Sequence, residues 1–313
     1  MQNRNYIALI ILCGTLVYFG CSQDTVQFEW RQLESGTGEH LYGIHFIDTK
    51  HGWAVGTGGT VLSTVDGGIS WKVASISHAT LTQVNFATPN NGWTVSIGQV
   101  HYTGSGGASW NLQHQARGIG KTPPGILDLH FVDTTHGWAV GGKGTVLKTE
   151  NGGSRWENQR DLSNKHLWGV YFVDPAHGWI VGEEGEILHT QDGGNRWVQQ
   201  RSNAEQPLFA VHFVNVTHGW IVGTNGLILH TTDSGITWVR QKTPVNQTLR
   251  DIAFRDEKRG WAVGENGLIL HTTDSGNTWN RYPTPAQHNL QDIHLQKNAG
   301  WIVGAKGTIL RGH

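Results

Sequence analysis

A sevenfold repeat constrains this sequence more than any other feature. A Gly-Trp pair followed by small and β-branched residues, as in HGWAVG and HGWIVG, recurs about every 41 residues. The tryptophans of these pairs are Trp53, Trp93, Trp138, Trp179, Trp220, Trp261 and Trp301. Repeats of this length are typical of propellers and solenoids, in which each unit buries its apolar face against its neighbours. We therefore expect a ring or a stack of similar units.

A second motif, Thr-x-Asp-x-Gly-x-x-Trp, follows each of the first six Gly-Trp pairs and resembles the Asp-box (BNR) repeat. In a tight turn the Asp carboxylate can accept backbone N–H bonds, and the glycine can take a positive φ. The motif therefore predicts a hairpin between two strands, in which the aspartate is structural. The aspartates are Asp66, Asp192, Asp233 and Asp274, and Ser105 and Asn151 replace them in the other two copies.

The repeats predict a closed ring of four-stranded blades. The fifth repeat reads as four short strands, LFAVHFV, GWIVG, LILHTT and TWVRQK, with the tight loop GTNG in its middle. The seventh repeat stops at His313 without its Trp strand, whereas FEWRQLES, which contains Trp30, precedes the first repeat. Closing a ring removes exposed sheet edges. The sequence thus predicts an all-β, seven-bladed β-propeller over residues 28–313, with the N-terminal strand completing the last blade.

Composition agrees with strands and excludes several classes of protein. The 313 residues include 43 Gly and 15 Trp, and only 15% are charged, which disfavours helical bundles. A formal net charge of -1 predicts no nucleic-acid partner. Fourteen of the 15 tryptophans belong to the repeat and are expected in the core. Trp168 alone lies outside it.

The N-terminus resembles an export signal. The first five residues contain one basic residue, Arg4, and no acidic residue. An apolar run over residues 6–19 and a Gly-Cys pair follow. A run of about 14 apolar residues is shorter than the roughly 20 that span a bilayer. The Gly-Cys junction resembles a bacterial lipobox. We expect a signal peptide at 1–20, lipidation of Cys21, a tether at 21–27 and an exported, membrane-anchored protein; ordinary secretion and an uncleaved anchor remain open.

Two glycan-directed alternatives follow from the Asp-box, which also occurs in sialidases and glycoside hydrolases. Hydrolysis needs two carboxylates across one cleft, and Asp128, Asp251 and Asp292 occupy equivalent places in their first strands. A sugar-binding propeller would instead use Trp168 and Tyr42. The 18 histidines mostly follow the repeat and show no local metal-binding spacing, so the sequence predicts no metal and no cofactor.

The complete pattern, a first strand followed by HGWAVG and TxDGGxxW, resembles the photosystem II assembly and stability factor family. The resemblance covers residues 28–313. It implies a non-enzymatic scaffold, without cofactors, that binds a membrane protein or its assembly intermediate on the lumenal or periplasmic side. It also implies an arginine patch, whereas the arginines of this chain are dispersed in sequence. We expect a monomer that reaches the membrane through its lipid.

One position in each repeat departs from the common pattern. The residue before the core of the first strand is, from blade 1 to blade 7, Tyr42, Thr82, Leu127, Trp168, Phe209, Arg250 and Gln291. Core positions repeat, so packing alone does not dictate this one, and aromatic residues and Arg are enriched at interaction hot spots. Blade 3 is also preceded by an inserted loop, HQARGIGKTPPGI. The predicted partner-binding residues are Tyr42, Trp168, Phe209, Arg250, Arg117 and Lys121. The alternative is that these residues only plug the channel mouth.

Overall fold

Seven four-stranded antiparallel sheets surround one axis in the computed structural model, which describes residues 28–115, 125–159 and 162–313. Within each of the first six sheets the strand order follows the chain. The first strand of every sheet lines the central channel, and the fourth strand lies at the outer edge. The predicted seven-bladed propeller is therefore confirmed.

The strands are short and similar in length from blade to blade. Blades 1 to 3 contain β2 Leu41–Phe46, β3 Gly52–Gly56, β4 Thr60–Thr64 and β5 Lys72–Ser75; β6 Leu81–Phe86, β7 Gly92–Ser96, β8 Gln99–Thr103 and β9 Asn111–Gln115; β10 Ile126–Phe131, β11 Gly137–Gly141, β12 Val146–Thr149 and β13 Glu157–Gln159. Blades 4 to 6 contain β14 Leu167–Phe172, β15 Gly178–Gly182, β16 Ile187–Thr190 and β17 Val198–Gln200; β18 Leu208–Phe213, β19 Gly219–Gly223, β20 Ile228–Thr231 and β21 Val239–Arg240; β22 Leu249–Phe254, β23 Gly260–Gly264, β24 Ile269–Thr272 and β25 Asn280–Arg281.

Blade 7 combines both ends of the described propeller. Its strands are β26 Leu290–Gln296, β27 Ala299–Gly304, β28 Ile309–Gly312 and β1 Trp30–Leu33. Trp30 pairs with Gly312 and Leu33 pairs with Ile309, which confirms the predicted closure. Single 3-10 turns join the second and third strands at Thr57–Gly59, Gly142–Gly144, Glu183–Gly185, Glu265–Gly267 and Ala305–Gly307.

The Gly-Trp tryptophans form the joints between blades. All seven are buried, with at most 3% of their surface exposed. Trp179, for example, stacks on Phe213 of the next blade with ring centroids 3.5 Å apart. The indole of Trp53 donates a hydrogen bond to the Gly106 carbonyl, in the Asp-box turn of the next blade, at 2.9 Å. One side chain therefore contributes both stacking and a directed bond across each joint of this kind.

The tryptophans at or just before the start of the fourth strands are less uniformly buried than the sequence predicts. Trp30, Trp238 and Trp279 are buried, as expected. The other four are half-buried. These four are Trp71, Trp110, Trp156 and Trp197.

The Asp-box turns have the predicted geometry. Asp66 accepts hydrogen bonds from the Thr64 hydroxyl at 2.7 Å and from the Ser70 backbone N–H at 3.0 Å. The hydrogen bonds from Ser70 and Thr64 lower the pKa of Asp66 to about 2. Gly67 and Gly68 have φ values of 78° and 89°, which favour glycine. Asp192, Asp233 and Asp274 accept the equivalent backbone bonds in their own turns.

The expected signal peptide at 1–20, the tether at 21–27 and the lipidated Cys21 all lie outside the described residues. Within the part of the chain that the structure describes, no helix has the length and the apolar character needed to cross a bilayer.

Candidate functional site

A β-bulge lies near the start of every first strand. In blade 4 the pairing shifts between Leu167 and Gly169, which leaves Trp168 without a cross-strand partner. The same shift releases Phe209 in blade 5 and Arg250 in blade 6. A bulge redirects the side chain of the extra residue. The seven residues that break the sequence repeat are therefore the seven bulge residues.

Three of the predicted partner-binding residues contact one another in series across blades 4, 5 and 6. The rings of Trp168 and Phe209 meet edge to face, with centroids 5.8 Å apart and an interplanar angle of 71°. The Arg250 guanidinium carbon lies 4.9 Å from the centre of the Phe209 ring, within the range of a cation–π contact. We call Trp168, Phe209 and Arg250 the mouth row. All three are half-buried, so each keeps surface available to a ligand.

Two polar groups of the mouth row have no acceptor. The Trp168 Nε1 and the Arg250 Nε are buried and donate to no described residue. The Arg250 Nη2 is 3.4 Å from Glu265, and the side chains of this pair are 34% and 33% exposed. Unsatisfied donors beside aromatic surface are suited to an acceptor on a bound partner.

The mouth row lies on the face where the first strands begin, which we call the mouth face. In an antiparallel blade, the connections into the first strand and those between the second and third strands share this end. The Asp-box turns, between the third and fourth strands, lie at the opposite end. The separation of the two faces follows directly from the observed strand order.

The remaining predicted site residues are not brought into the mouth row. Tyr42 occupies the equivalent bulge in blade 1, between blades 7 and 2, and none of the aromatic contacts among the described residues includes it. Arg117 and Lys121 fall in 116–124, outside the described residues.

Sequence reasoning missed two neighbours of the mouth row. The His166 ring stacks on Trp168 with centroids 5.8 Å apart, and Glu265 pairs with Arg250. His166 lies in the connection that enters blade 4, and Glu265 lies in the 3-10 turn of blade 6. Neither residue repeats in every blade. A break in the repeat at these loop positions is therefore the sequence signal that marks them.

Below the mouth, acidic side chains join blades around the channel. Asp251 accepts the Ile293 backbone N–H at 2.8 Å, and Asp128 accepts that of Val170 at 2.8 Å. In both cases the donor belongs to the next blade. Asp128, Asp251 and Asp292 all line the channel, and each carboxylate accepts a backbone hydrogen bond.

Burial dominates the protonation of these carboxyls. It raises the pKa of Asp128 to about 7, against the backbone hydrogen bonds from Val170 and Leu129 that lower it. Burial, followed by the charge of Asp292, raises the pKa of Asp251 well above its ordinary value. The pKa of Asp292 is also raised by burial. Near neutral pH the group therefore carries fewer charges than its three carboxyls would in water.

A second layer of the channel wall consists mainly of histidines. His130 accepts the Phe172 backbone N–H of the next blade at its Nδ1, at 3.1 Å. Burial lowers the pKa of His130, His212 and His294 to about 4, so the rings are neutral at pH 7. The channel encloses about 360 Å³. Among the described residues, no group of three or more His, Cys, Asp or Glu side chains is arranged to hold a metal ion.

Solved structures with this architecture include both binding proteins and an enzyme. YCF48 from Cyanidioschyzon merolae aligns with a TM-score of 0.75 and 23% identity, over 91% of this chain and 98% of its own. A structure of YCF48 bound to D1 peptide aligns with a TM-score of 0.76 and 22% identity, over 90% and 96%. Virginiamycin B lyase from Staphylococcus aureus gives 0.78 at 12% identity, over 91% and 99%. These likenesses establish the fold and do not by themselves choose a function.

Two curated relatives have higher sequence identity, over a shorter part of the chain. The photosystem II assembly protein Ycf48 of Synechococcus sp. (strain JA-2-3B'a(2-13)) is 31% identical over 168 residues, which cover 50% of this chain and 47% of the relative. The photosystem II assembly lipoprotein Ycf48 of Prochlorococcus marinus (strain MIT 9313) is 40% identical over 47 residues, 15% of this chain and 14% of the relative. The chain thus spans half or less of the length of the curated relatives it matches.

The sequence profile described as photosynthesis system II assembly factor YCF48 matches residues 22–112, 120–167, 160–243 and 236–313. These matches extend from the segment before β1 to the end of β28 and include all the Gly-Trp pairs. Together with the seven blades and their closure, they confirm the resemblance seen in the repeats. The chain therefore belongs to the photosystem II assembly factor YCF48 family.

Proposed function

We propose that this protein is a scaffold that binds a segment of a membrane protein during the assembly of photosystem II. The family match over most of the chain supports the assembly role. A D1 peptide is the ligand in one solved YCF48 structure, and we extend that class of partner to this chain. The observation that carries the proposal is the mouth row, where aromatic and cationic side chains meet across three blades.

The chemistry of the mouth row suits a peptide. Trp168 and Phe209 offer two aromatic faces set at 71° to each other, which can enclose an apolar side chain. Arg250 and the free indole N–H of Trp168 can donate to a carbonyl or carboxylate of the same ligand. We propose that Tyr42, Arg117 and Lys121 also contribute to binding when a longer segment crosses the mouth face.

We infer that the protein acts without catalysis. Asp128, Asp251 and Asp292 would be the carboxylates of a hydrolase, but each accepts a backbone N–H of the next blade. A carboxylate held by that structural bond is poorly placed to serve as the general acid or as the nucleophile of glycoside cleavage. No cofactor is part of the proposed role.

We further propose that the propeller at 28–313 is exported and held at the membrane by a lipid on Cys21, after removal of residues 1–20. The apolar run before Gly-Cys supports this, as does the description of the Prochlorococcus relative as a lipoprotein. Mass spectrometry of the mature N-terminus provides the test. The expected result is a first residue of Cys21 carrying an acyl mass; an unmodified or different N-terminus would reject the lipid anchor.

The binding role is tested with synthetic D1 peptides and the purified protein. We expect saturable binding that Trp168→Ala and Arg250→Ala each weaken at least about thirtyfold, because a hot-spot truncation costs about 2 kcal/mol or more. Thr82→Ala is the matched control, since Thr82 is the bulge residue of blade 2 and lies outside the mouth row.

Two results would contradict the assignment. If the unaltered protein bound no D1 peptide, the proposed class of partner would be wrong. If Trp168→Ala and Thr82→Ala bound equally well, the mouth row would only fill the channel mouth, and the peptide site would lie elsewhere.

A further inference from the structure

The ring contains one joint that lacks its usual hydrogen bond. Six Gly-Trp indoles donate to a carbonyl in the Asp-box turn of the next blade, at 2.9–3.3 Å. Trp261 of blade 6 faces blade 7, whose third and fourth strands come from opposite ends of the propeller and are not joined by an Asp-box turn. The Trp261 Nε1 is buried and has no acceptor among the described residues. Trp261 is only 2% exposed, so bulk water does not reach this donor freely.

An arginine occupies this joint. The Arg255 guanidinium carbon lies 5.1 Å from the centre of the Trp261 ring and 4.2 Å from that of Phe28. Its Nε and Nη2 are buried and likewise donate to no described residue. Two side chains in contact thus present three N–H donors without an acceptor. Such a cluster is rare in folded proteins, because each unsatisfied buried donor is destabilising.

The arginine appears where the repeat is interrupted. Arg255 follows directly after the first strand of blade 6, and the residues at this place in blades 1 to 5 are apolar. Those residues are Ile47, Ala87, Val132, Val173 and Val214. Packing therefore does not call for a cation here, and the substitution coincides with the missing Asp-box turn.

Nearby acids compensate the cation only in part, although the charge of Asp256 acts to raise the pKa of Arg255. Arg255 lines an open surface groove of about 640 Å³, which Lys258 and Arg259 also line. Asp256 is already paired with Arg259 at 2.6 Å, and Glu257 accepts a hydrogen bond from Asn215 at 2.9 Å. Burial, and then the charge of Arg259, lowers the pKa of Arg255. An added anion would relieve both effects.

We propose that Trp261 and Arg255 form a carboxylate-binding site at the joint between blades 6 and 7, on the face opposite the mouth row, which takes an acidic side chain or a chain-terminal carboxylate of a bound polypeptide. A carboxylate has two acceptor oxygens and can bond an indole N–H and a guanidinium together. Phosphate is a weaker fit, because its larger tetrahedral group must enter beside two packed rings. The site is separate from the mouth row and does not depend on its role.

The test follows the indole N–H signals of the ¹⁵N-tryptophan-labelled protein by NMR, with the Trp261 signal assigned from Trp261→Phe. Sodium acetate is the probe, and sodium chloride at equal ionic strength is the reference. We expect a saturable downfield shift of the Trp261 signal with acetate alone. No shift, or the same shift in chloride, would overturn the proposal.

Variants and further ligands separate the explanations. Arg255→Gln should weaken acetate binding at least about tenfold, through loss of a charged hydrogen bond, whereas Arg250→Gln at the mouth row should leave it unchanged. Acetate binding that survived Arg255→Gln would reject the site. Because Arg255 packs on two rings, the unfolding midpoint of the variant is measured as well, and the acetate titration of the unaltered protein stands without it.

Two peptides identify the source of the carboxylate. One has an internal Asp and an amidated end, and the other has a free end and no acidic side chain; tighter binding of either one than of acetate supports the site. A stronger response to methyl phosphate would reject a carboxylate ligand. A Trp261 signal that lies downfield before any ligand is added, and that moves upfield when residues 22–27 are deleted, would also reject the proposal. In that case the chain would fill its own site.

Discussion

The carboxylate of Asp292 accepts the backbone N–H of Ile44 at 2.7 Å. Asp292 lies in the first strand of blade 7 and Ile44 in the first strand of blade 1, so this bond joins the two blades at the closure of the ring. The same type of bond runs from Asp128 to Val170 and from Asp251 to the next blade. The acids that suggested hydrolysis in the sequence therefore hold neighbouring blades together around the axis.

Removing the carboxyl of Asp292 should destabilise the ring. We expect Asp292→Ala to lower the free energy of unfolding by about 1–3 kcal/mol, because a buried N–H loses its acceptor. Asp292→Asn keeps an acceptor oxygen and should cost less. Denaturant unfolding at pH 7 measures both, and equal losses for the two variants would show that the Ile44 bond is not responsible.

The raised pKa of Asp128 predicts a pH-dependent stability. Folding raises this pKa from 3.8 to about 7, so the protonated form is favoured in the folded state. The contribution of Asp128 to the free energy of unfolding is therefore lost as pH rises from about 4 to 7. Asp128→Asn carries no such charge. Across this range, the free energy of unfolding of the variant should rise by about 2 kcal/mol relative to that of the unaltered protein. This is less than the roughly 4 kcal/mol that the full pKa shift corresponds to, because Asp128 keeps some exposure in the channel.

Asp233→Asn is the control for this pH series. Hydrogen bonds from Thr237 lower the pKa of Asp233 against the effect of burial, so its contribution is complete above the ordinary value and is lost only at lower pH. The difference in free energy of unfolding between Asp233→Asn and the unaltered protein should therefore stay nearly constant between pH 4 and 7. A constant difference for Asp128→Asn as well would show that this carboxyl ionises freely in the channel.

Restoring the Asp-box consensus in blade 2 should stabilise the propeller. Ser105 accepts the Ser109 backbone N–H at 3.1 Å through a neutral hydroxyl, whereas aspartates in the other turns accept through a carboxylate. We expect Ser105→Asp to raise the free energy of unfolding by about 0.5–1 kcal/mol, since charged acceptors bond more strongly. Asp66→Ser is the reciprocal change and should lower it by a similar amount; the melting temperatures of the two variants should move in opposite directions.

Trp220 and Trp168 should respond differently to truncation. Trp220 is fully buried, stacks on Phe254 at 3.6 Å and belongs to the repeat, so Trp220→Ala should cost about 3–5 kcal/mol of stability. Trp168 is a half-buried bulge residue, and Trp168→Ala should retain most of the stability. Thermal unfolding by circular dichroism compares them. Equal destabilisation would assign Trp168 to the core.

The fold was predictable because its determinants are periodic. The Gly-Trp pair, the Asp-box and the position of Trp30 each recur or complement one another, and each has a local physical reason. The outer strands were less predictable: β21 pairs only over Val239–Arg240, although TWVRQK reads as a longer strand. An outermost strand has one neighbour instead of two, so its length depends on packing that a propensity argument does not contain.

The candidate site was predictable only in part. The break in the repeat identified Trp168, Phe209 and Arg250, but a bulge at that place is a property of backbone pairing, which sequence identity does not reveal. The contacts of His166 and Glu265 come from loops of different blades. Likewise the histidines follow the repeat, yet whether a ring faces the channel or, like His189, stacks on a tryptophan depends on the strand that carries it.

The pairing of Trp30 with Gly312 also sets an order of events during synthesis. Strand β1 is among the first parts of the propeller to be made, and its partner β28 is among the last. Until that partner arrives, the early strand waits with an open hydrogen-bonding edge while six blades form behind it, which is the condition under which foreign strands are captured. Chaperones that act on this chain would therefore be needed most at its leading end, and for longest when synthesis is slowest.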